Sequence, residues 1–244
     1  MNAHPDTASK IKAWCVHIFT ASGMVVGFKA LESAYSGNPY DTIFWLVLTA
    51  LIDGIDGAFA RKFRVTEVLP QIDGHLIDFV VDFVNFVVTP CVVFYQMKMA
   101  PPPLLFPCVA AILYASLYHY GNKEQVTSDF HFCGFPAWWN LVVYYLFILD
   151  LGQWPNLVIT IGVVVLHFLP VKFIYITRMQ RNRIPAAIAL LMLLAANAII
   201  LLRHPDVGVG IKIAAVAPLI FLAALGSIKR ELLPFKRHAG KKNG

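Results

Sequence analysis

Asp53-Gly-Ile-Asp-Gly-Ala-Phe-Ala-Arg61 is followed, after the twelve residues Lys62 to Asp73, by Gly74-His-Leu-Ile-Asp-Phe-Val-Val-Asp82. Both stretches sit inside apolar runs, so the carboxylates of Asp53, Asp56, Asp78 and Asp82 fall where hydrocarbon is expected. A charged residue at the centre of a membrane helix costs about 2.5–3.5 kcal/mol, and four would cost on the order of 10 kcal/mol uncompensated. Nothing nearby in the sequence supplies four fixed positive charges, whereas bound divalent cations would balance them.

Helical geometry gathers these residues. At about 100° per residue, Asp53, Asp56, Gly57, Ala60 and Arg61 share one sector of a helix, and Gly74, Asp78 and Asp82 line one face of the next. The short connection makes the two helices antiparallel neighbours. At ~1.5 Å per residue, Asp56 lies roughly 7 Å deeper than Arg61, and Asp78 roughly 6 Å deeper than Gly74, so the carboxylates reach similar depth. Clustered carboxylates are a hard-oxygen set suited to Mg²⁺ or Mn²⁺, and two such ions would nearly cancel four charges. Gly57 and Ala60 remove bulk from the same face, and Arg61 stands at its rim with a fork of donors that fits phosphate. The bland alternative is that Gly and Ala serve helix packing while the acids pair internally.

The rest of the chain agrees with a membrane solvent. Of its 244 residues, 58% are hydrophobic and 14% charged, against roughly 25% charged in soluble domains. Eight apolar runs read as spans: 14–34, 43–60, 76–95, 104–118, 137–149, 157–176, 186–202 and 209–228. The expected fold is all-α, a polytopic helical bundle of about eight transmembrane helices. It makes one domain over 1–244, with a short N-terminal segment 1–12 and a basic tail 229–244. Residues Lys10, Ile11, Lys12, Trp14 and Cys15 suggest a short interfacial helix before the first span. With both termini cytoplasmic, sixteen Lys and Arg fall on the inner side and four on the outer, as the positive-inside rule requires. The net charge of +6 therefore needs no nucleic-acid partner, since membrane lipids account for it. Cys15, Cys91, Cys108 and Cys133 show no CxxC pair and read as packing residues.

The quoted stretch resembles the signature of the CDP-alcohol phosphotransferase family, D-x-x-D-G-x-x-A-R followed by G-x-x-x-D-x-x-x-D. Every fixed position is present. The twelve-residue connection is longer than the eight usual in that family. This spacing, the eight spans and the segment Asp129-Phe-His-Phe-Cys-Gly-Phe-Pro-Ala-Trp-Trp-Asn140 are similar to a bacterial branch that takes choline as its alcohol. The resemblance implies a CDP-alcohol phosphotransferase fold, CDP-diacylglycerol as donor, and attack of an alcohol hydroxyl on the phosphorus attached to diacylglycerol with loss of CMP. It implies Asp53, Asp56, Asp78 and Asp82 as ligands of two Mn²⁺ or Mg²⁺ ions, and Asp82 also as the base. It further implies Gly57, Ala60, Arg61 and Gly74 as nucleotide-binding residues, a homodimer, and a site facing the cytoplasm from the bacterial inner (cytoplasmic) membrane.

Choline has no donor to offer, and proteins enclose quaternary ammonium groups with aromatic faces. Tyr118, Tyr120, Phe135, Trp138, Trp139, Tyr144 and Tyr145 cluster around the long inner loop. Tyr118, Trp138 and Trp139, with Asn85 on the Asp78 face, are the candidates for choline, although Trp and Tyr collect at bilayer interfaces for other reasons. Asp73 reads as a helix cap, His17 and Thr20 as helix–helix contacts, His75 as a candidate phosphate contact, and His167 as a packed interior histidine. Lys123, Arg178, Arg181 and Arg183 fit the topology of basic inner loops. Serine, inositol or glycerol phosphate would be alternative acceptors. A cation transporter is the reading from another class, but it predicts acids spread through the membrane depth and a repeated fold.

Overall fold

The computed structural model describes residues 6–122, 131–174, 183–203 and 207–227. Helix α1 (Thr7–Tyr35) opens at Asp6, whose side chain accepts the Ser9 N–H at 3.0 Å, and continues without a break through Trp14. The expected separate interfacial helix is thus the first turns of α1. The buried residues of α1 are Ala13, Val16, His17, Thr20, Gly23, Gly27, Ala30 and Ala34, while Ile18, Val25 and Phe28 lie on its outside. Small and polar residues face the protein and large apolar ones face outward, which is how helices pack in lipid, where close backbone approach replaces hydrophobic burial.

A turn at Ser36 and Gly37, the latter at φ +71°, leads to α2 (Pro39–Lys62), capped by Asn38. Helix α3 (Val65–Val68) occupies the long connection and seats Val65, with Leu69 just after it, on Ala13 and Val16 of α1. The extra residues between Arg61 and Gly74 therefore form a packed clamp. Asp73 then caps α4 (Gly74–Phe83) by accepting the Leu76 N–H at 3.1 Å, as expected. A π turn at Val84–Val88 joins α4 to α5 (Thr89–Gln96), and the three make one apolar helix from Gly74 to Gln96. The wide turn falls where Pro90 lacks the N–H that a regular helix would give to the carbonyl four residues back.

Helix α6 (Pro102–Gly121) follows, then strand β1 (His131–Cys133), α7 (Trp139–Leu149), α8 (Gln153–Leu166), strand β2 (Lys172–Ile174), α9 (Arg183–Arg203) and α10 (Val209–Ser227). Among the described residues, four helical stretches are long and apolar enough to cross a membrane: α1, α2, Gly74–Gln96 and α6. Four shorter apolar helices stand at the other four expected positions. The protein is thus a helical membrane protein.

Two expectations require correction. The run 157–176 is not one helix: α8 stops at Leu166 and the backbone turns into β2. Pro170 has no N–H to give the Leu166 carbonyl in a continuing helix. The Phe135 N–H donates to that carbonyl instead, at 3.1 Å, and the Gly134 N–H donates to the Val171 carbonyl at 2.9 Å. The bundle is also not purely α, since β1 pairs antiparallel with β2, Phe132 opposite Phe173. Extended backbone at such a place is tolerated where protein covers it. His167 is buried with Nδ1 2.9 Å from the Val163 carbonyl, the packed histidine expected. All four cysteines are free, and Cys91 and Cys108 are buried in the core. Lys123, Arg178 and Arg181 lie outside the described residues.

Candidate functional site

Helices α2 and α4 both lean on α1, and the carboxylates converge above it. Asp53 of α2 and Asp78 and Asp82 of α4 each offer an oxygen, and these atoms lie within 4.8 Å of one another. All three are half-buried. Asp53 and Asp82 approach to hydrogen-bonding range. Three hard oxygen donors at such spacing fit a divalent cation, and they come from two different elements, so the cluster forms only when the helices pair.

Asp56 stands one turn further along α2, 6% exposed. Its carboxylate engages the Thr20 hydroxyl of α1, and Asp78 and Arg61 lie close enough to interact electrostatically with it. Among the described residues Asp56 is thus held between α1 and the cluster.

Around the acids, small residues serve distinct purposes. A Cβ on Gly57 would lie 3.4 Å from Nη1 of Arg61, so the arginine folds over the glycine at an exposed rim. Gly74 begins α4 against His17, whose Cε1 would be 3.1 Å from a Cβ there. His17 is buried and its Nε2 has no hydrogen-bond partner. Ala60 packs on the Ala13, Val16, Val65 and Leu69 cluster. His75 is exposed beside Asp78 and contributes to its electrostatic surroundings. An open apolar groove of about 300 Å³ runs between α1 and α4, bordered by Ala21, Met24, Leu76, Ile77, Val80 and Val81.

The four choline candidates are not gathered. Asn85 is 1% exposed and its Nδ2 donates to the Gly23 carbonyl at 3.1 Å, so its amide docks the end of α4 onto α1. Trp139 is fully buried and stacked on His167, with ring centroids 5.7 Å apart. Tyr118 is exposed and lies against Phe168, and Trp138 meets Phe132 edge-on at 6.1 Å. Among the described residues, Tyr120 is an aromatic side chain near the carboxylates, close enough to Asp82, Asp53 and Asp78 to interact electrostatically with them. Phe79 and Phe83 flank it at 5.6 and 5.7 Å. Sequence reasoning places Tyr120 only among seven loop aromatics and misses both phenylalanines. Their signal is present: each directly follows a carboxylate, and they are four residues apart.

No protein-family model matches the chain. Individual proteins do. It is 36% identical over 220 residues to the phosphatidylcholine synthase of Agrobacterium fabrum, covering 90% of this chain and 91% of that one. It is 35% identical over 206 residues to the phosphatidylcholine synthase of Pseudomonas aeruginosa, covering 84% and 86%. It is 37% identical over 173 residues to that of Borreliella burgdorferi, covering 71% and 74%.

Proposed function

The chain belongs to the phosphatidylcholine synthase family, and we propose that it joins choline to the phosphatidyl group of CDP-diacylglycerol on the carboxylates that α2 and α4 bring together. The observation that carries this reading is the convergence of Asp53, Asp78 and Asp82 from two membrane helices to within 4.8 Å. Carboxylates brought that close inside an apolar bundle need compensation, and a bound divalent cation supplies it for all three at once.

In this reading Asp53, Asp56, Asp78 and Asp82 hold two Mn²⁺ or Mg²⁺ ions. When bound, such ions neutralise charge on the diphosphate oxygens and on the leaving CMP. Arg61 donates to phosphate at the rim, Gly57 leaves room beneath it for the phosphate to approach the helix, and Gly74 lets the start of α4 close on His17. Ala60 supports that face from behind. Asp82 accepts the proton of the choline hydroxyl as its oxygen bonds to the phosphorus attached to diacylglycerol. The bond from that phosphorus to the bridging oxygen breaks, and CMP leaves. The groove along Ala21, Met24, Ile77 and Val80 offers the acyl chains an apolar path beside the bilayer.

The same proposal takes the eight apolar helices as eight crossings, with α7 and α8 completed by extended backbone near β1 and β2. The bias of Lys and Arg then places both termini and the site on the cytoplasmic side of the bacterial inner membrane. A homodimer is part of the reading and rests on the family resemblance alone.

The test is purified protein in liposomes with CDP-diacylglycerol, Mn²⁺ or Mg²⁺, and choline, following CMP release and lipid product together. Choline-dependent phosphatidylcholine formation is expected. CMP release with serine, inositol or glycerol phosphate and none with choline would reject the acceptor. Release with no alcohol tried would reject the transferase reading for this site.

A further inference from the structure

We infer that Tyr120, Phe79 and Phe83 form the face that receives the quaternary ammonium of choline, an inference that rests on the choline-transferring reading above. Only two carbons separate the hydroxyl of choline from its nitrogen. The ammonium must therefore lie within that short reach of the group that takes the hydroxyl proton. A site elsewhere in the bundle, however aromatic, cannot serve.

That constraint sorts the aromatic residues. Trp139 has no exposed surface and gives one face to His167. Tyr118 and Trp138 are engaged with Phe168 and Phe132. Phe79 and Phe83 each follow a carboxylate directly, Asp78 and Asp82, and both touch Tyr120 on the last turn of α6. Their ring planes stand at 79° and 84° to that of Tyr120. Both rings thus meet that of Tyr120 edge to face. A cation seated on the side of this cluster toward Asp82, Asp53 and Asp78, with which Tyr120 interacts electrostatically, would meet aromatic surface and the negative field of the carboxylates together. Tyr120 and Phe83 are half-buried, with their inner sides packed on the core of Val87, Ile112 and Trp139, and Phe79 is exposed, so the cluster runs from the core to the surface. Methyl groups need no hydrogen bonds, and this wall offers only one polar atom, the Tyr120 hydroxyl.

The experiment measures KM for choline and for CDP-diacylglycerol in Tyr120→Leu, Tyr120→Phe and Phe83→Leu beside the unaltered protein. Tyr120→Leu is expected to raise the choline KM at least tenfold while the CDP-diacylglycerol KM changes less than twofold. Tyr120→Phe keeps the ring and stays within threefold for choline. The unchanged donor KM reports an intact fold, and Phe83→Leu supplies the same readout where Tyr120→Leu yields no folded protein. A choline KM unmoved by either leucine variant, in a preparation whose unaltered form makes phosphatidylcholine, overturns the inference and leaves the function standing. Equal damage from Tyr120→Phe and Tyr120→Leu overturns it too, because the hydroxyl and not the ring would then matter. An unaltered protein with no choline-dependent turnover overturns both.

Discussion

The side-chain amide of Asn85 donates to the backbone carbonyl of Gly23 at 3.1 Å, tying the π turn of the third long helix to the first helix. The bond lies three residues beyond Asp82. It therefore fixes the rotation and depth at which Asp82 meets Asp53, which is on a different helix. The amide oxygen sits over Gly27, where a Cβ would fall 1.7 Å from it. The glycine is needed for close approach, because any side chain there would occupy the space of the amide.

Gly27→Ala is expected to destabilise the protein by about 1–3 kcal/mol through overpacking, and Asn85→Ala by about 1 kcal/mol through loss of an interhelical hydrogen bond. The double variant should be less destabilised than the sum, since the truncated residue 85 frees the space that the added methyl group requires. Thermal unfolding in detergent measures all three. Strict additivity would show that the two residues do not share one contact.

Divalent ions should stabilise the folded protein before any substrate is added. A ligand at a hundred times its dissociation constant contributes about 2.7 kcal/mol, which unfolding curves with and without Mn²⁺ would register. Asp78→Asn should remove most of that shift and abolish turnover. Without ions it should be slightly more stable than the unaltered chain, because one of several repelling charges is gone. Asp41→Asn, at the start of α2 and remote from the cluster, should retain the shift. An identical shift in Asp78→Asn would remove Asp78 from the ion's ligands.

What the sequence discloses is unequal across the molecule, for physical reasons. Acids at helical spacing within apolar runs point to one face, and the structure brings Asp53, Asp78 and Asp82 together. The Asp73 cap is equally local and equally legible. Asn85 is readable as an amide needing a partner but not as one whose partner is Gly23, since the rotation of one helix against another is set by packing across 62 residues. Tyr120 is hidden among other aromatics for the same reason. The end of α8 has a local mark in Pro170, four residues past Leu166, which the apolar run around it masks. What no local reading supplies is the backbone of Gly134 and Phe135, arriving from another part of the chain to close it.

That closure yields a last prediction, built on two glycines with similar φ and different surroundings. Gly134 has φ +82° and Gly152 has φ +86°, a region where an L side chain is strained in either place. A Cβ on Gly134 would lie 2.6 Å from the His167 carbonyl oxygen, whereas one on Gly152 would meet nothing within 4 Å. The loop cannot withdraw, because the N–H groups of Gly134 and Phe135 are both committed to the end of α8 and the turn after it. Gly152→Ala should therefore cost about 1–3 kcal/mol, the backbone strain alone, because its ψ of 171° with positive φ is a conformation essentially reserved for glycine. Gly134→Ala should cost more, about 2–6 kcal/mol, strain and overpacking together. Thermal unfolding of both variants isolates the contact as their difference. Equal losses would mean that the Gly134 loop yields freely, and that its seat on His167 does not help to hold the end of α8.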